Sequence, residues 1–143
     1  MRNDLPSMST GRAMAQASHA SNAFWKECGT YGMSIAWANQ TPQGFGTAIV
    51  LSVNYTELKE ICSKSISEGF SCNSVIDQDY VITVPSEVIP CIDDKKLIKF
   101  EQSLIDPAKW FYHRSEVTCA YIFGDKEEIN IKIPEISQLP LHP

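Results

Sequence analysis

The chain has 143 residues, of which 43% are hydrophobic and 20% are charged, and its formal net charge is −5 at pH 7. This length and composition predict one compact domain with its own hydrophobic core. No apolar run reaches the ~18 residues of a membrane span and no signal peptide opens the chain, so we expect a cytoplasmic protein without membrane contact.

The predicted elements alternate between strands and helices along the first part of the chain. In order, they are a strand that ends at residues 1–4, a helix over 10–27, a turn-rich stretch over 31–44, a buried strand over 47–53, a helix over 56–68, and two short strands over 71–76 and 80–84. Ser9 or Thr10 suits the N-cap of the first helix, and Gly29 suits its end. The turn formers Asp77-Gln78-Asp79 separate the last two strands.

Residues 86–116 interrupt this alternation. Asp93 or Asp94 is a candidate cap for a further helix. The apolar residues of that helix are Leu97, Ile98, Phe100, Leu104 and Ile105. After Pro107, residues 110–114 gather aromatic side chains beside a His-Arg pair. The segment is either a lid that grips a substrate, with rings to stack on a base and Arg114 to bind a phosphate, or a helical hairpin that buries its own aromatic residues.

A last strand over 117–123 and an irregular tail over 125–143 complete the chain. Strands that alternate with helices predict an α/β domain with helices on both faces of the sheet. We expect a small three-layer α/β/α sandwich on a mixed sheet of about four strands. Residues 1–143 would form this single domain, with residues 86–116 inserted between two core strands.

The helix over residues 10–27 carries two stripes. At 3.6 residues per turn, Arg12, Gln16 and His19 lie within about 60° of one another, beside a stripe of alanines that can lie close against a sheet. Free amides at the helix start, with Gly11 and Arg12 in the first turn, suit a phosphate or a developing oxyanion. The alternative is that the alanines reflect helix propensity and close packing, while the polar stripe is solvated.

These residues also resemble a known family. Met1-Arg2-Asn3-Asp4-Leu5, a short loop and Gly11-Arg12-Ala13-Met14-Ala15-Gln16-Ala17-Ser18-His19-Ala20 resemble the opening of the type II peptidyl-tRNA hydrolases. That family has Arg-x-Asp-Leu, a loop, and Gly-Lys-x-Ala-Ala-Gln-x-x-His-Ala. Ser74-Val75-Ile76-Asp77 resembles its strand that ends in aspartate, and Val117-Thr118-Cys119-Ala120-Tyr121-Ile122-Phe123-Gly124 resembles its final strand. The resemblance covers residues 1–85 and 116–124.

The resemblance implies the family's three-layer fold, hydrolysis of the ester at the 3′ end of peptidyl-tRNA, and compatibility with a homodimer. The implied catalytic residues are Arg12, His19, Asp77 and Thr118, and the candidate substrate-binding residues are Gly11, Gln16 and Arg114. Asp77 would orient or deprotonate a water, Arg12 would hold a carbonyl oxygen or phosphate, and Thr118 would position water or substrate. His19 would have an orienting role.

We predict neither a metal nor another cofactor, because the reaction needs only an oriented water, a proton acceptor and donors for the oxyanion. The five cysteines are scattered and never form a C-x-x-C pair, so neither a disulfide framework nor a zinc site is expected.

Two departures from the family keep other functions open. Arg12 stands where the family has lysine, and arginine cannot transfer a proton at neutral pH. The family's second threonine has no counterpart in Asp79-Tyr80-Val81-Ile82. Because the chain is also acidic, any tRNA contact must be local. One alternative is a non-catalytic module on the same fold that binds nucleic acid or protein, and another is a hydrolase of a different ester or amide.

Overall fold

The structure is a computed structural model that describes residues 1–85 and 97–142. In chain order its elements are α1 (Thr10–Cys28), α2 (Gly32–Ala38), α3 (Tyr55–Ser67), β1 (Ser71–Pro85), β2 (Leu97–Gln102), β3 (Lys109–Phe123) and α4 (Lys126–Lys132). A short 3₁₀ helix, Pro134–Gln138, follows α4. The predicted α/β class is confirmed. None of the helices in these ranges combines the length and the apolar character that a membrane crossing requires.

β3 is the centre of an antiparallel sheet of three strands in the order β1-β3-β2. β1 pairs with β3 along its whole length, from Ser71 opposite Phe123 to Pro85 opposite Lys109. β2 pairs only with the first half of β3. The sheet is therefore organised around the long antiparallel pair of β1 and β3, and β3 pairs with a neighbouring strand on both of its edges.

The sheet has three strands rather than the expected four. Residues 1–4 and 47–53, both predicted as strands, form only isolated bridges. Arg2 pairs with Val53 in parallel orientation, and Leu51 pairs with Leu141 in antiparallel orientation. The prediction of a buried strand over residues 47–53 is therefore wrong. A ladder needs backbone partners along its length, and the neighbouring segments offer them at only a few residues there.

β1 is one continuous strand, not the predicted pair of strands joined by a turn. The turn formers produce a bulge instead of a reversal, because β3 continues alongside and keeps the backbone paired. Thr118 is an extra residue on β3, opposite the step from Val75 to Ile76, and another extra residue lies on β1 between Asp77 and Tyr80. The two offsets cancel, so both ends of the pair share one register.

Residues 97–102, predicted as part of a helix, form β2. The candidate caps Asp93 and Asp94 lie outside the described residues. Residues 110–114 belong to β3, so the aromatic run lies in a β-hairpin and not in a helical hairpin. The open edge of β3 supplies backbone partners that outweigh the helical spacing of the apolar residues.

The C-terminal residues, predicted to be irregular, form α4 and the 3₁₀ helix. Asp125 caps α4, because its side chain accepts the Glu128 N–H at 3.0 Å. Ile133 follows α4 and is completely buried, which anchors the end of the chain to the core. The signal for this helix is a capping aspartate followed by isoleucines at helical spacing.

α1 and α3 cover opposite faces of the sheet. The Phe24 ring of α1 lies 5.7 Å from Tyr121 and 4.6 Å from Phe123, between ring centroids. The side chain of Cys62 on α3 lies close to that of Cys72, which pairs with Ile122, the β3 residue between these two aromatic residues. Because consecutive strand residues point to opposite faces, the two helices lie on opposite sides, as the three-layer prediction requires.

A cluster of aromatic rings fills one end of the α1 side. Its members are Phe24, Trp25, Trp37, Tyr121 and Phe123. Gly46 lies against this cluster with a φ of +68°, and a Cβ there would lie 2.3 Å from the Trp37 ring. Gly44 has a similar φ of +76°, but a Cβ there would meet nothing within 4 Å.

Gly46→Ala should lower the free energy of unfolding by about 3 kcal/mol, because backbone strain at positive φ adds to overlap with the indole ring. Gly44→Ala is the matched control and should lose only about 1 kcal/mol, from backbone strain alone. Urea unfolding followed by tryptophan fluorescence measures both losses. Equal losses would show that the Trp37 ring moves aside at no cost.

Candidate active site

α1 begins and packs as its sequence predicts. Ser9 is the N-cap, and its side chain accepts the Arg12 N–H at 3.4 Å. Ala13 and Gln16 are both buried, so this side of the helix lies against the sheet. The polar stripe is therefore not a uniformly solvated face, because Gln16 points into the protein while His19 is exposed.

A chain of hydrogen bonds joins three of the predicted site residues. The Thr118 hydroxyl donates to Gln16 Oε1 at 2.6 Å, and Gln16 Nε2 donates to Asp77 Oδ2 at 2.8 Å. The other Asp77 oxygen, Oδ1, accepts the Asp79 N–H at 3.0 Å. Thr118 is completely buried, Gln16 is 5% exposed, and Asp77 is half-buried. The chain thus runs from the core to a carboxylate that solvent can reach.

The two bulges bring these side chains to the α1 side. Consecutive strand residues normally point to opposite faces, yet Thr118 and Cys119 both contact Gln16, since the Cys119 thiol donates to the Gln16 carbonyl at 3.3 Å. The extra residue on β3 causes this change of face. Burial raises the pKa of the Cys119 thiol, so it remains protonated and serves as a packing group beside the site.

Arg12 lies one turn before Gln16 and is fixed by neighbouring carbonyls. Its Nη1 donates to the Val81 carbonyl at 2.7 Å and to the Ser7 carbonyl at 3.3 Å. The guanidinium carbon lies 5.6 Å from the centre of the Tyr80 ring. Its charge is therefore held beside the site by the loop before α1 and by β1.

The remaining predicted residues lie apart from this chain of hydrogen bonds. His19 is exposed on α1 and has no side-chain hydrogen bond to the residues that the structure describes. Gly11 is exposed at the start of α1 with open space around it. Arg114 Nη2 pairs with Glu116 Oε2 at 2.7 Å and lies over the Tyr112 ring. The structure thus brings together Gln16, Asp77 and Thr118, with Arg12 adjacent.

A buried charge network beside the site was not predicted. Arg2 is 6% exposed and contacts Glu116 Oε1 at 2.5 Å and Asp4 Oδ1 at 2.8 Å. Glu116 lies opposite Asp77 in the β1–β3 pair, so the network borders the segment of β1 that carries Asp77. The sequence signal for this network is Arg-x-Asp at residues 2–4. The other acidic partner, Glu116, is far away in the sequence.

The network shifts the pKa values of Arg2 and Asp4. Burial opposes the charge on Arg2, but hydrogen bonds to Asp4 and Glu116 outweigh it and leave the pKa of Arg2 raised. The hydrogen bond from Arg2 lowers the pKa of Asp4, and the backbone N–H of Tyr55 also lowers it. Asp4 therefore stabilises the folded protein in its ionised form.

Basic side chains of the hairpin are paired locally. Lys99 Nζ lies 3.2 Å from Glu101 Oε2, and Lys109 Nζ lies 3.1 Å from Asp106 Oδ2. These pairs leave no continuous positive surface on the described part of the hairpin. Within residues 1–85 and 97–142, no group of three His, Cys, Asp or Glu side chains is placed to hold a metal ion.

Asp4→Asn should remove a contribution to stability that depends on pH. Because the folded pKa lies below the unfolded value of about 4, that contribution is complete above this value and is lost as pH falls through the folded pKa. Urea unfolding across pH 2–7 should therefore show the largest difference from the unaltered chain at neutral pH, shrinking in acid. Glu60→Gln on α3 is the control for loss of one charge. A difference that stays constant with pH would contradict the ionised role of Asp4.

Comparison with known proteins matches the first part of the chain to one family. The sequence model of the family Peptidyl-tRNA hydrolase PTH2 matches residues 1–92, a range that includes Arg12, Gln16 and Asp77. Searches of curated proteins and of solved structures gave no match. The matched range spans more than half of the chain and holds α1 and the strand that carries the half-buried carboxylate. The chain belongs to the peptidyl-tRNA hydrolase PTH2 family.

Proposed function

We propose that this chain hydrolyses the ester between a peptide and the 3′-terminal ribose of tRNA in the cytoplasm, and that Asp77 activates the attacking water. Family membership supports the reaction and its class, a hydrolase that acts on ester bonds. The observation that carries the proposed mechanism is the hydrogen-bonded chain from Thr118 through Gln16 to Asp77. It connects two motifs that lie far apart in the sequence.

The geometry around Asp77 suits a general base. One donor holds each carboxylate oxygen, Gln16 Nε2 at Oδ2 and the Asp79 N–H at Oδ1. Each oxygen of a carboxylate can accept two hydrogen bonds, so both oxygens can accept another from water. A fixed carboxylate at a half-buried position can therefore orient a water without rotating.

The proposed reaction has two steps. The water oxygen attacks the ester carbonyl carbon while its proton passes to the Asp77 carboxylate, and the carbonyl oxygen becomes an oxyanion. As the bond to the ribose oxygen breaks, the proton passes from Asp77 to that oxygen. The products are the peptide carboxylic acid, which then releases its proton to water, and tRNA with a free hydroxyl, so atoms and charge balance.

In this proposal, positive charge at the start of α1 stabilises the bound substrate. Arg12 and the backbone at Gly11 lie at the positive end of the helix dipole, where a phosphate or an oxyanion is stabilised. Arg12 contributes charge and hydrogen bonds but no proton transfer. Thr118 acts through Gln16, because its hydroxyl donates to Gln16 Oε1 while Gln16 Nε2 faces Asp77.

One observation favours the second candidate, a tRNA-binding module without catalysis. Arg12 donates to the carbonyls of Ser7 and Val81. Val81 belongs to the stretch Asp79-Tyr80-Val81-Ile82, which lacks the family's second threonine. If a productive site requires a lysine that approaches the substrate, this arrangement would bind tRNA without turnover. The experiment below distinguishes the two functions.

Asp77→Asn should lower kcat at least a hundredfold, because an amide cannot accept the proton of the water. Thermal stability should change little, because the Gln16 amide can rotate by 180° and still bond to the new amide and to Thr118. The assay measures tRNA released from a peptidyl-tRNA with an N-blocked amino acid, with and without chelator. We expect release that the chelator does not affect.

Asp106→Asn, in the turn between β2 and β3, is the matched control and should keep full activity. That turn lies about 20 Å along β3 from the partner of Asp77. Release that the chelator stops would overturn the metal-free mechanism. Binding of tRNA without any release by the unaltered chain would favour the binding module.

Arg12→Lys should keep or raise kcat/KM, because lysine keeps the charge and frees it from the two carbonyl contacts. The same change should lower the free energy of unfolding by about 1 kcal/mol, since one charge-assisted hydrogen bond and the contact with the Tyr80 ring are lost. Arg12→Gln is the control without charge and should raise KM for the anionic substrate. Loss of all activity in Arg12→Lys would show that the planar guanidinium itself is required.

A further inference from the structure

His113 is a buried histidine that the mechanism above does not use. It lies on β3 and is 4% exposed. Its Nδ1 lies 2.7 Å from Asp79 Oδ1, and its Nε2 lies 3.1 Å from Glu101 Oε1 of β2. The ring therefore bridges two carboxylates from neighbouring strands, one at each nitrogen.

The contact with Asp79 connects His113 to the β1 bulge that follows Asp77, the proposed general base. Asp79 lies between Asp77 and Tyr80, where β1 has its extra residue. Its side chain is 63% exposed, so packing alone does not hold it. Its N–H is the donor to Asp77 Oδ1. The side chain and the backbone of Asp79 thus connect His113 to Asp77 through two consecutive hydrogen bonds.

We propose that His113 is a positioning residue for the hydrolysis: it holds Asp79, and Asp79 in turn aims the Asp77 carboxylate at the water. This inference rests on the proposed function. Two strands outside the α1 motif would therefore take part in the site, because Glu101 of β2 fixes the second nitrogen of the same ring. Gln16 holds one Asp77 oxygen from the helix side, and the His113–Asp79 pair holds the other from the sheet side.

A matched pair of substitutions separates the two contacts of the ring. The amide nitrogen of asparagine is attached at the same position as Nδ1, whereas that of glutamine corresponds to Nε2. His113→Asn can therefore keep the donor to Asp79, and His113→Gln can keep only the donor to Glu101. Both variants remove the ring, so they lose similar packing.

We expect His113→Gln to lower kcat about ten- to a hundredfold with little change in KM, because a misplaced base slows the chemical step more than binding. His113→Asn should stay within about threefold of the unaltered chain. Asp106→Asn, in the turn between β2 and β3 and outside these contacts, serves as the control and should keep full activity. Melting temperatures of all variants are measured together with tRNA release, since a purely structural role would lower stability and kcat in parallel in both His113 variants.

A second readout does not depend on activity. The Asp79 amide should exchange with deuterium about tenfold faster in His113→Gln than in His113→Asn, as measured by NMR, because its acceptor is no longer held. Equal kcat values in the two His113 variants, or equal exchange of that amide, would overturn the positioning role while tRNA release by the unaltered chain upholds the proposed function. No release by the unaltered chain would overturn the proposed function, and the catalytic role of His113 with it.

Discussion

The buried amide of Gln16 determines how α1 lies on the sheet. A buried amide that loses a partner costs about 1–3 kcal/mol, so the helix is most stable where Thr118 and Asp77 both reach it. Small residues such as Ala13 allow the helix to approach closely enough for those bonds. The packing of α1 and the position of the Asp77 carboxylate are consequently one arrangement, and neither can change alone.

Charge is arranged locally in this acidic chain. Arg2 is surrounded by Asp4, Glu116 and the Tyr55 ring, so it organises the fold and does not face a ligand. Arg12, in contrast, lies half-buried at the start of α1. Under the proposed function, a protein with a net charge of −5 would bind a polyanion through a small positive region at one helix end. Such binding should be sensitive to salt but involve few phosphates.

The sequence predicted the features that local signals encode. The cap of α1 at Ser9 or Thr10, the length of α1 and the position of α3 followed from capping residues and helical spacing. Residue resemblance placed Gln16, Asp77 and Thr118 in one site, and the structure brings them within hydrogen-bond distance. The active roles assigned to them stay predictions, as do those of His19, Gly11 and Arg114.

Features that depend on distant partners were not predicted. β2 was expected to be helical because its pairing with β3 is not visible in local spacing. The contacts of His113 with Asp79 and Glu101 join three strands, and no short motif contains them. The residues around Asp77 have the composition of a turn, and only the length of β3 makes them a bulge. Local pattern therefore defined the helices, whereas pairing defined the sheet and much of the site.

The two cancelling bulges also constrain how the gene can vary. The β3 residues that face α1 are Cys119 and Tyr121 after the bulge and Tyr112 before it. The inward positions therefore change from even to odd residue numbers at Thr118. Deleting Thr118 itself would remove the β3 bulge, and Tyr112 and Cys119 would keep their inward faces because the extra residue and the change of face disappear together. A deletion elsewhere in β3 would shift the residues between it and the bulge by one position and turn each of them to the opposite face. The sheet therefore accommodates a single-codon deletion in β3 only at the bulge position.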